Sequence, residues 1–157
     1  MDYERSTHAT TLAELAEPLR SAVRAKADAQ QLTVADDAQA FVTHSRRLKK
    51  PGLLARATKT GDPDTEHDAA LVIGGRDVLI CTHGEHRGTV VLTARLEDID
   101  TEDKLAAMRN DSGISVNGFR ASGGEDAGRG SFFFGLGAPD GDAAKSALDS
   151  AIRGAKA

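Results

Sequence analysis

The chain has 157 residues, a formal charge of −4 and a pI near 5.7, which is one domain's length and enough to bury a core without covalent staples. Aromatic residues amount to 4% and Trp is absent, which excludes the basic, aromatic-studded surface of a single-strand nucleic-acid binder. A single Cys excludes an internal disulfide.

The opening stretch MDYERSTHATTLAEL lacks the basic start and apolar core of a secretory signal, and no run reaches the ~18 apolar residues of a membrane span. The expected location is the cytoplasm. Residues 1–10 read as flexible. Thr11-Leu12-Ala13-Glu14 has capping-box spacing, and Leu12, Leu15, Leu19, Ala22 and Val23 keep one helical face apolar. Pro18 interrupts that run, so the helix either kinks there or properly begins there. A second helix is expected, capped by Thr33, with Asp36 and Asp37 in its first turn and Arg46, Arg47, Lys49 and Lys50 in its last. Val34, Ala38, Phe41, Val42, Ser45 and Leu48 form its stripe, and Pro51-Gly52 stops it.

From Leu53 the period becomes two. Leu53–Thr60 reads as a weak strand before the turn Gly61-Asp62-Pro63-Asp64. Ala69–Ile73 and Val78–Thr82 read as strands joined by Gly74-Gly75-Arg76, and Gly88–Leu96 as a third. A short helix carrying Leu105 and Met108 is expected to start at Asp100 or Thr101 and to end near Asn110. Ile114–Arg120 and Ser131–Leu136 are further strands, separated by the loop SGGEDAGRG. Asp140 or Asp142 opens a last helix with the stripe Ala144, Ala147, Leu148, Ala151 and Ile152. The expected fold is one α+β domain over 1–157, with a helical extension at 11–50 and a strand-rich core at 53–157. Its antiparallel sheet has about five to six strands, with helices at the amino terminus, between strands and at the carboxy terminus.

Two stretches invite a chemical reading. ICTHGEHRG, residues 80–88, gathers a thiol, two imidazoles and a carboxylate. A tetrahedral zinc site wants ligands converging from two directions, whereas these crowd into six residues bracketed by strands, with His44 and His67 the only distant imidazoles of use. A hairpin loop is expected, with Cys81 a small hydrophobe inside a strand and no Cys–His nucleophile pair. GLGAPDG, residues 135–141, lies between a strand and a helix as a dinucleotide loop does. However, its glycine spacing is off by one, Asp140 and Asp142 stand where phosphate would sit, and the chain that follows is too short for a βαβ unit. No catalytic residue, metal ligand or cofactor is expected.

In Ala69–Ile73 and Val78–Cys81 both alternating faces are apolar, so both must be covered, either by the chain's own helices or by a partner. The run AALVIGGRDVLICTHGEHRGTVVLTARLEDIDTEDKLAAMRN resembles the middle of the small acidic class I chaperones (Tir-chaperone-like) that bacteria pair with type III secretion effectors. The likeness lies in the order of strand, turn, strand, charged hairpin, strand and leucine-bearing helix, followed by two strands and a last helix. It implies a non-enzymatic homodimer that holds the amino-terminal segment of a secreted effector protein extended for export. By that likeness Leu105, Met108, Phe132 and Phe134 face a second subunit. The same reading makes Leu15, Leu19, Ala70, Val72, Leu79 and Cys81 the effector-binding surface. The competing readings are a bacterial pleckstrin-homology-like domain binding peptide or lipid headgroups, and a small enzyme built on Cys81, His83 and His86. The pleckstrin-homology-like reading needs a further strand, for which Phe41–Leu48 is the candidate, and the helical stripe there speaks against it.

Overall fold

The computed structural model describes residues 3–48, 64–103, 112–120 and 129–157. The fold is α+β, as expected, but it holds two antiparallel sheets rather than one. Five strands form a meander in chain order: β1 (Tyr3–Thr11), β2 (Gln39–Arg47), β3 (Glu66–Ile73), β4 (Asp77–Gly84) and β5 (Gly88–Arg95). A smaller sheet pairs β6 (Asp100–Glu102), β7 (Gly113–Arg120) and β8 (Arg129–Gly135) in that order. Between β1 and β2 run a 3₁₀ turn, Leu12–Glu14, and helix α1 (Leu19–Ala29). Helix α2 (Gly141–Lys156) ends the chain.

Several expectations about the first fifty residues are corrected. Residues 3–10, within the stretch expected to be flexible, belong to an edge strand, Tyr3–Thr11, paired along its length with β2. Thr11 makes no capping bond, and of the two helix starts left open it is Pro18 that stands at the α1 N-cap. No helix forms over Thr33–Leu48, the described part of the expected second helix: Gln39–Arg47 is instead β2. Its sequence fits both periods: Phe41, Val42 and Ser45 lie on a helical stripe, yet Phe41, Thr43 and Ser45 also line one strand face and Ala40 and Val42 the other. The neighbours on either side decide the matter. Between β1 and β3 a strand satisfies all its backbone groups, and β-branched Val42 and Thr43 favour it.

The later strands lie where expected, give or take end residues. Asp100 and Thr101, however, belong to β6 rather than to a helix cap. The expected strand Leu53–Thr60, the helix body with Leu105 and Met108, and most of the SGGEDAGRG loop lie outside the described residues.

The five-stranded sheet is covered on both faces by its own chain. On one face Leu12, Leu15, Leu19, Val23 and Ala27 pack against Ala40, Ala70, Val72, Leu79 and Cys81. On the other, Phe41, Leu71, Val78 and Ile80 meet Ile114, Val116 and Phe134 of the small sheet, and Ala144, Leu148 and Ile152 of α2. Of the two covers left open, the chain's own is the one found, so neither apolar face is left for a partner at these residues. Leu15, Leu19, Ala70, Val72, Leu79 and Cys81 do come together, but as a buried cluster. Phe134 likewise lies in the core rather than at a subunit contact, with Phe132 packed against it.

The glycine-rich stretch between β8 and α2 closes the outer edge of β1. Thr7 donates its amide to Ala138 O (3.1 Å) and accepts from the Asp140 amide at its carbonyl (3.0 Å). The Gly137 amide donates to Thr7 Oγ1 (2.9 Å). A Cβ at Gly137 would lie 2.1 Å from Arg5 O, so no side chain fits between the two segments. Asp140, at the α2 N-cap, accepts the Ala9 amide through Oδ2 (2.7 Å). A strand-edge seal accounts for these letters.

Candidate functional site

The histidine and thiol cluster that ICTHGEHRG raised lies at one end of the large sheet. Pairing register places Ser6, His44, Asp68, His83 and Thr89 in one row across all five strands, on the α1 face but past the end of the apolar cover. Two strand spacings separate the His44 and His83 backbones, roughly 10 Å. His44 Nδ1 meets Asp68 Oδ1 at 2.7 Å, and His44 Nε2 lies 3.7 Å from Glu66. His83 Nδ1 instead meets Thr89 Oγ1 at 2.7 Å. By strand alternation His67 falls on the opposite face, where Tyr3 stands edge-on to it at 5.9 Å.

Four of the chain's five histidines line one cavity of about 420 Å³ here, which sequence spacing alone did not bring together. The His44, His67 and His83 rings nonetheless have different partners. Among the described residues no three His, Cys, Asp or Glu side chains are placed to hold a metal ion.

The hairpin loop itself is anchored by Asp64, whose carboxylate accepts the His86 amide (2.7 Å), the Arg87 amide (3.2 Å) and Arg87 Nε (3.0 Å). Burial pushes the Asp64 carboxyl up, but these donors outweigh it and hold the group below its ordinary range. Gly84 makes room, since a Cβ there would lie 2.2 Å from Asp64 Oδ2. Cys81 lies under α1, and burial raises its thiol from 9.0 to about 11. At neutral pH it is almost wholly protonated, unsuited to nucleophilic attack. The cluster is thus an anchored hairpin beside an exposed polar row.

A second concavity is larger and was not visible in the sequence. A groove of about 850 Å³ runs between the carboxy-terminal end of α1, the β3–β4 turn and β5. Lys26, Gln30 and Leu32 form one wall, Arg76 and Asp77 one end, and Val91 to Arg95 the long side, with Gly118 also lining it. Thr93 Oγ1 donates to Gln30 Oε1 (2.6 Å) across one corner. The groove borders the sheet's far edge: β5 pairs with β4 alone, and among the described residues no strand pairs with its outer side. Nothing in GTVVLTAR marked that strand as an edge.

Comparison with family models, with curated proteins and with solved structures gives no match. The site's geometry therefore carries the functional reading alone.

Proposed function

We propose that the chain is a non-enzymatic binding protein of pleckstrin-homology-like architecture, and that its ligand is a polypeptide seated in the groove beside β5. The observation that carries this is the groove itself, a concavity of about 850 Å³ along a strand edge that has no partner among the described residues, a place where extended chains are commonly bound. Support for the architecture comes from Gln39–Arg47 being a strand. The objection that a helix occupies this segment falls away, and two antiparallel sheets share a core with a carboxy-terminal helix.

A lipid headgroup is the weaker alternative. A phosphate site wants cations and amides converging on one point, whereas Lys26, Arg76 and Arg95 are interspersed with Asp77 and Asp98. The amino-terminal segment of a secreted effector is one polypeptide of the required kind. It would have to use this groove, because Leu79, Cys81 and their neighbours are enclosed.

Amide NMR of the labelled chain tests the choice. Peptides selected from a random display library are expected to shift Gln30 and Val91 to Arg95, while inositol phosphates leave them in place. Phosphate-induced shifts centred on Arg76 and Arg95 would reverse the choice of ligand. Failure of any peptide to be selected would remove the proposal.

A further inference from the structure

We infer that the ligand binds by strand addition to the outer edge of β5, as an extended segment with alternating apolar side chains and an acidic residue near the Arg95 end. This rests on the peptide-binding reading and adds the mode of binding and the chemistry of the bound segment.

The hydrogen-bond parity of β5 is the starting point. Leu96 donates its amide to Arg76 O (2.9 Å), one step beyond the Asp77–Arg95 pair that begins the β4–β5 ladder. In an antiparallel ladder such bonded pairs alternate with non-bonded ones. The amides of Ala94, Leu92 and Val90 therefore face β4. Those of Arg95, Thr93, Val91 and Thr89 face outward, a row of donors and acceptors with no ladder partner among the described residues.

Natural edges are usually blunted by charge, proline, a bulge or shortness. β5 uses none of these along most of its length. It has eight residues, its register with β4 is unbroken, and Gly88 to Ala94 carry no charge or proline. Val90 is 49% exposed. The opposite edge, β1, is sealed by the Gly137–Asp140 segment, so the open edge is not a general property of this sheet.

The surroundings specify the occupant. On the face shared with the small sheet, an added strand would lie beside Val90, Leu92 and Ala94, which suits small or β-branched apolar side chains. On the α1 face it would lie beside Val91, Thr93 and the Lys26–Gln30 wall, which suits polar ones. Among the described residues neither Lys26 nor Arg76 forms an ion pair, and Arg76 adjoins Asp77, the register partner of Arg95, so an acidic residue at that end would gain a cation. A second copy of the chain fits less well. Twofold pairing of β5 with β5 is isologous, so it would bring the copy's own Lys26–Leu32 wall and Arg76 into the same groove.

Backbone hydrogen exchange on the full chain, with and without a display-selected peptide, provides the test. The peptide is expected to slow exchange at Thr89, Val91 and Thr93, and selected sequences are expected to alternate apolar residues with an acidic one. Val91→Pro removes an outward donor without touching the β4 ladder, and should weaken the peptide on the order of tenfold with little change in melting temperature. If the variant does not fold, exchange in the unmodified protein still decides. Selected peptides that bind but leave the Val91 and Thr93 amides exchanging freely would overturn strand addition while leaving the peptide-binding reading in place. Slow exchange at these amides in the free protein, accompanied by a dimer in light scattering, would assign the edge to a second copy and overturn the inference.

Discussion

Leu79 separates a covered sheet from one that waits for a partner. Its side chain is 0% exposed, and it lies between Val72 and Thr93 in the pairing register beneath Leu19 and Val23 of α1. Leu79→Ala removes three buried carbons, about 2.4 kcal/mol at ~0.8 kcal/mol per methylene. The surrounding cluster is held by α1 above and by the sheet below, so collapse into the void is limited, and the residual cavity raises the expected loss to about 3–4 kcal/mol. With a urea slope of about 2 kcal/mol per molar, the unfolding midpoint should fall by roughly 1.5–2 M at unchanged slope. Val90→Thr, on the exposed edge, should stay within about 0.5 kcal/mol. Equilibrium urea unfolding of the two variants, followed by far-UV circular dichroism, measures both. A loss below about 1 kcal/mol for Leu79→Ala would mean that the residue is not enclosed by its own chain, and the covered-sheet argument would fail.

Four further outcomes follow from the same geometry. Cys81 should resist thiol reagents in the folded state and react on unfolding, and Cys81→Ser should cost about 1–3 kcal/mol because its hydroxyl finds only apolar neighbours; rapid labelling of the native protein would contradict this. Gly137→Ala should force Arg5 O and the 137–140 segment apart, losing about 2–3 kcal/mol through the Thr7 bonds and speeding exchange of the Thr7 and Asp140 amides; an unchanged melt would show that the seal is not needed. Asp64 contributes stability that is present above its unfolded value and lost as pH falls through its lowered folded value, so the amide resonances of His86 and Arg87 should stay native-like at pH 3.8 and move only below it. Gly84→Ala should produce the same loop displacement at neutral pH.

The core strands were legible because one period explained them. In Ala69–Ile73 and Val78–Cys81 every position is apolar or small, glycine marks the turn, and no helical alternative of adequate length exists. The reading failed where two periods fitted the same letters. Ala40 to Ser45 satisfies a helix stripe and a strand alternation equally, and the choice was made by the strands on either side, which lie far away in sequence. Thr11 to Glu14 imitates a capping box, yet the chain spends Tyr3–Thr11 on the sheet and delays the helix until Pro18. Tertiary pairing overrode local signals in both places.

The site was harder still to see, for a reason that concerns edges rather than composition. Whether a greasy strand is central or terminal in its sheet depends on what other segments do, and GTVVLTAR reads the same in either place. The histidines show the converse. His44 and His83 are thirty-nine positions apart yet stand two strands apart in one row, a juxtaposition that needs the register and that spacing arguments miss. What the sequence did carry was the asymmetry between the two edges, in a form recognisable only afterwards. Gly137 of GLGAPDG lets a neighbouring backbone, β1, pass close by, and Gly135 leaves room for the Arg5 side chain. With β1 sealed at Thr7 and Ala9 by the carboxy-terminal segment, β5 is the edge of the large sheet that has no strand on its outer side among the described residues, and Gly88 to Ala94 carry no charge to repel a partner. The carboxy-terminal end of α1, with Lys26 and Gln30, walls the groove beside that edge.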